Sequence, residues 1–147
     1  EKTLLKIAIQ NENDEIIKIL LEDERLILNQ NDSKHILFFS SRKNNLELMK
    51  LILPSKQLDL NSTDTNNKTA FEIASENDFI DIMKWMISSG KMINVPSREK
   101  IEKYSTQVKD LIENYFANPS KTITITRKEI GLSGKFKIVG QVSIGLV

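Results

Sequence analysis

The sequence predicts a mainly α-helical chain: three helix–turn–helix units stacked side by side, then a C-terminal capping helix and a short β-hairpin tail. Three observations predict it. The same pattern recurs around Ala8, Ser40 and Ala74, where a short apolar helix carries a small residue. Seven positions later stands an acidic residue (Glu15, Glu47, Asp81), and an apolar run follows. The spacing is about 33 residues, the period of stacked helical repeats. Past residue 95 the pattern stops. One such unit cannot bury its own apolar face; three stacked units can, and they leave a long exposed surface suited to recognition.

The first copy is Thr3–Ile9, a polar turn at Asn11–Asp14, and Glu15–Leu21. The second is His35–Ser41, a turn at Lys43–Asn45, and Leu46–Leu53. The third is Thr69–Ser75, a turn at Asn77-Asp78, and Phe79–Ile87. The first helices place apolar residues as in Leu5, Ile7 and Ala8, and the second helices carry a wider apolar face. Such faces bury on both sides of a stack. Small residues at 8, 40 and 74 let paired helices approach closely. Asn and Asp in the turns tolerate left-handed backbone.

These copies resemble the ankyrin repeat. Leu60–Phe71 is similar to the linker finger that leads into a first helix, and Ser89–Asn94 to the end of a repeat, with Gly90 as the helix stop. The likeness runs from about residue 2 to 95. No copy keeps the family's Pro or His in the first helix, and Glu12, Asn44 and Asp78 stand where Gly is usual. The linker after the first copy is shorter than the family pattern; the next, with Pro54, Gln57 and Leu58, is longer.

Val95-Pro96-Ser97 breaks the repeats, and Ser97 can cap a helix. Ile101, Tyr104, Val108, Leu111, Ile112, Tyr115 and Phe116 share one face, which predicts a single amphipathic helix from 98 to 116 that caps the stack. Asn118-Pro119 ends it. Thr122–Thr126 alternates with period two, as does Phe136–Ile138, with Gly131–Gly134 as the turn between two strands. The division is then 1–95 repeats, 96–118 capping helix, and 119–147 β tail or the start of a further domain.

Bulk composition excludes several classes. The chain has 147 residues, 21 basic and 20 acidic, for a net charge of +1. That balance gives no reason to expect nucleic acid or an anionic membrane as partner. No run is long enough to span a bilayer and no signal peptide is visible. There is no cysteine, which fits a cytoplasmic setting. The chain opens almost inside the first helix and closes on an apolar stretch, as a segment of something longer would.

No enzyme is legible, and the expected catalytic residues, metal ligands and cofactors are none. With no Cys and one His (His35), neither a nucleophile–base pair nor a zinc site has material. His35 reads as a capping or surface residue. Glu22-Asp23-Glu24 reads as a solvated helix end; a calcium loop needs alternating ligands and a Gly. Gly134-Lys135 fails as a phosphate loop because Glu129 and Phe136 occupy its Gly and Ser/Thr places. Gly140–Val147 matches a kinase glycine-rich loop at Gly140, Gly145 and Val147 but has Val142 for the middle Gly. An ordinary strand with two glycines accounts better for it.

The resemblance implies binding by the linker fingers and the polar side of the first helices. Carried over by position, that surface holds Lys6, Gln10 and Asn11; Phe38, Arg42 and Lys43; Asn66 and Lys68; Glu72, Glu76 and Asn77. It should be basic in the middle and acidic at the third copy. Phe38 matches Lys6 and Glu72, so it is expected to be exposed, an anchor for a peptide. The alternative is that Phe38 and Phe39 both pack inside because the short linker rotates this copy. The expected function is protein–protein interaction, the partner another protein or peptide. Two rivals are a regulatory segment preceding a kinase domain that begins near residue 140, and self-association through residues 119–147 by strand pairing.

Overall fold

In a computed structural model, residues 4–132, 135–136 and 144–146 are described. The first repeat is α1 (Leu4–Gln10) and α2 (Asp14–Glu22). The second is α3 (Gln30–Lys43) and α4 (Leu46–Ile52), and the third is α5 (Ala70–Glu76) and α6 (Ile80–Ser88). Two layers result: α1, α3 and α5 pack in one row, and α2, α4 and α6 in the other. Between them lies a continuous core in which Ile17, Leu37, Met49, Ile52, Ala74, Met83 and Met86 are fully buried. The small residues do what their size predicts: Ala8, Ser40 and Ala74 are all buried between paired helices. Ser40 avoids an orphaned hydroxyl by donating to the Ile36 carbonyl at 2.6 Å.

The turn inside each repeat is the same. Glu12, Asn44 and Asp78 take φ of 51°, 53° and 59°. Each lets the next residue's amide donate to the small residue's carbonyl: Asn13 to Ala8 at 3.0 Å, Asn45 to Ser40 at 2.9 Å, Phe79 to Ala74 at 2.9 Å. Asn13 and Asn45 then cap the second helix, accepting from Ile16 and Leu48. The fold thus needs a left-handed residue where this chain has no glycine, and pays a small conformational strain for it. Asp78→Gly should therefore raise stability by about 0.5 kcal/mol, read as a higher urea midpoint at unchanged slope.

The second half corrects the expectations. The helix expected from 98 to 116 is two: α7 (Arg98–Ile101) and α8 (Thr106–Ala117). Ser97 caps the first as expected, but Ser105 caps again, accepting from the Val108 amide at 3.2 Å and restarting the helix. The shared apolar face survives, with Ile101, Tyr104, Val108, Ile112 and Tyr115 buried, but Phe116 is 69% exposed.

The hairpin expected over 122–138 is not formed, because its first half is α9 (Pro119–Glu129). Asn118 caps α9, accepting from the Lys121 amide, and Pro119 fits the first helical turn. The alternating Thr and Ile residues mislead because Thr122 and Thr126, four apart, fall on one helical face and are buried there. Their hydroxyls donate back to Asn118 and Thr122 carbonyls at 2.9 Å, and Thr126 also receives Ser88 at 3.1 Å. Buried contacts override the strand propensity of Thr and Ile. Both α8 and α9 pack on α6. Thr122–Thr126 accordingly has no strand edge to offer a second copy. Farther on, two short strands, β1 (Lys135–Phe136) and β2 (Ile144–Leu146), pair antiparallel. The rest of the Gly140–Val147 segment lies outside the described residues.

Candidate partner-binding face

One finger projects between the second and third repeats. Thr63 and Thr69 bridge its two sides, and the Asp64 amide donates to the Lys68 carbonyl at 2.9 Å. The Asp64 carboxylate accepts from the Asn66 and Lys68 amides, which holds the tip closed with Asn67 at φ 61°. At its base, the Asn61 side chain bonds both sides of the next linker, donating to Met92 and accepting from Asn94 at 2.8 Å. Thr69 and Glu72 then form a reciprocal capping box that starts α5.

No finger precedes α3. The short linker there is taken up by an earlier start of the helix: Asn29 caps it, accepting from the Asp32 amide at 2.7 Å, and α3 runs 14 residues against 7 for α5, almost two turns longer. This longer helix and the finger border a depression of about 450 Å³. Asn31, Lys34, His35, Phe38 and Arg42 line it from α3, and Thr63 to Asn66 from the finger.

The sequence-derived residues divide accordingly. Phe38, Arg42 and Asn66 come together at this depression. Phe38 is only 4% exposed, so the expectation of an exposed anchor is corrected: the aromatic packs into the core and shows the depression little more than an edge. Lys6 and Gln10 lie on α1, away from it. Lys43 pairs with Glu12 at 2.9 Å, across the first two repeats. Lys68 and Glu76 pair with each other at 2.9 Å. Glu72 is 7% exposed, accepting from the Thr69 amide and from Lys100 at 2.7 Å. The acidic end expected at the third repeat is thus largely spent on internal partners.

Charge follows the same division. The Glu12 and Glu76 carboxylates hold the Lys43 and Lys68 ammonium groups above their ordinary range. Burial, reinforced by Glu72 and Glu76, pushes the Tyr104 hydroxyl up to about 12. Among the described residues no carboxylate forms an ion pair with Lys34 or Arg42, and both are exposed. Sequence reasoning missed Asn31, Lys34, Thr63, Asp64 and Thr65. The signal was present: Asn29 followed three residues later by Asp32 is a helix start, six residues before His35.

Among the described residues no group of His, Asp or Glu is placed to hold a metal ion, and no helix is long and apolar enough to cross a membrane. A family model described as ankyrin repeats, in three copies, matches residues 5–97. No curated protein and no solved structure matches the chain. The three copies coincide with the three helix pairs and span more than half of the sequence, so the chain belongs to the ankyrin repeat family.

Proposed function

We propose that this chain is a protein-recognition module, and that it holds a segment of another protein in the depression between α3 and the finger. Ankyrin repeats are in general interaction scaffolds without catalysis. The observation that carries the reading is the pairing pattern: Lys43, Lys68 and Glu72 are engaged within the fold, whereas Lys34 and Arg42 stand at the rim of the depression without an ion-pair partner among the described residues, and the Asp64 carboxylate in its lining accepts from the finger's own amides. A guanidinium and an ammonium lining one depression with an aromatic side chain suit an acidic side chain beside an apolar one. Finger residues Thr63, Thr65 and Asn66 add hydrogen-bonding groups along the same wall. Repeats 1–95 serve as the recognition body, and residues 96–129 cover its rear.

The test is capture from lysate with two baits, the intact chain and a Lys34→Glu, Arg42→Glu double variant. Both side chains are exposed, so the variant should keep its urea midpoint while losing at least about tenfold in capture of a specific protein. Identical capture by both baits would remove the depression as the binding site.

A further inference from the structure

The three repeats align by sequence position, which makes their interfaces comparable residue by residue. Leu4, Ile7, Ile16 and Ile19 of the first repeat correspond to Ile36, Phe39, Leu48 and Leu51 of the second. In the third they correspond to Ala70, Ile73, Ile82 and Trp85. In the second and third repeats these positions are all buried or half-buried, on helices that pack against the preceding pair. In the first repeat the same positions are 62%, 40%, 38% and 63% exposed. They account for four of the eight large apolar side chains exposed among the described residues.

A second regularity crosses the junctions. Lys18, Lys50 and Lys84 hold one position in the three second helices. Each reaches forward to the next element: Lys18 to Glu47 at 2.8 Å, Lys50 over the Trp85 ring at 4.8 Å, and Lys84 to Glu129 of α9 at 3.2 Å. Glu15 is the first repeat's counterpart of Glu47, and among the described residues no lysine pairs with it. The front of the stack therefore repeats the aliphatic face of the internal interfaces and, at Glu15, the carboxylate that takes the lysine at the first junction. At the rear, α8 and α9 cover α6, so a second copy has no matching face to present.

We propose that the front face of α1 and α2 is a repeat–repeat interface, and that its occupant is a further helix pair of the same class connected ahead of α1. It would present a Leu/Ala/Ile ridge like that of Leu5, Ala8, Ile17 and Leu20, and a lysine aimed at Glu15. The chain supplies a probe of that chemistry. A copy of residues 30–68, placed ahead of Thr3 in place of Glu1 and Lys2, meets Thr3 as Lys68 meets Thr69.

Hydrogen exchange and thermal unfolding of the extended chain, compared with the parent, read the outcome. Seating of the copy should slow amide exchange in α1 and α2 at least about tenfold and raise Tm. Adding Ile7→Glu and Ile19→Glu should abolish both gains, while the same pair leaves the parent's Tm nearly unchanged because those side chains are exposed there. Unchanged exchange in α1 and α2 of the extended chain would overturn the proposal. So would a parent that sediments as a dimer and becomes a monomer with Ile7→Glu and Ile19→Glu, which would give the face to a second copy.

Discussion

Replacing Phe71 with Ala will lower the unfolding free energy by about 3–5 kcal/mol, the range for a fully buried aromatic cut to a methyl. Phe71 lies on α5 and is 1% exposed. The helix carrying it packs on both α3 and α6, so the cavity opens between two repeats at once. Leu37, Ala74 and Met83, on α3, α5 and α6, belong to the same core and are fully buried, so the gap collapses little. Most small domains hold only 5–15 kcal/mol in all. Urea unfolding should show a midpoint lowered by about a fifth or more at similar slope. A loss under about 1 kcal/mol would mean that the third repeat is not packed between its neighbours.

Phe38→Ala carries the second large effect, and it separates two roles the sequence left open. An exposed anchor could be removed at little cost in stability. A side chain 4% exposed cannot, and the loss should be about 3 kcal/mol. Any drop in partner capture by that variant is then partly unfolding, which is why the charge reversal at Lys34 and Arg42 is the cleaner probe of binding. A Phe38→Ala protein that unfolds at the parent's midpoint would restore the exposed-anchor reading.

Phe38 also shows where sequence reasoning reaches its limit. Positional comparison with Lys6 and Glu72 suggested exposure, but Glu72 is itself buried through the capping box and Lys100. The position is therefore interior in the second and third repeats. Helix periodicity and the small-residue marker placed every repeat helix, because both follow from what a two-sided stack must bury. The apolar face of residues 101–115 was legible for the same reason. The break at Ser105 was not, since a serine inside an apolar period reads equally as cap or as interior. In α9 the local alternation pointed to strand, and only burial against α6, with each hydroxyl bonded back to its own helix, decides for helix. The depression beside the finger was hidden because its lining depends on how far α3 extends beyond the repeat register, and a linker's length does not say which side takes up the slack.

The nearest-neighbour packing of the helix pairs has a kinetic consequence. Almost every contact that builds the core joins segments a single repeat apart, so little loop entropy must be lost before contacts form. The exception is α9, which crosses about 40 residues to reach α6, as in the Ser88–Thr126 bond. Chain growth at the front can therefore proceed pair by pair, each new helix hairpin condensing on a surface already formed, whereas the rear settles only once α7 and α8 have turned the chain back.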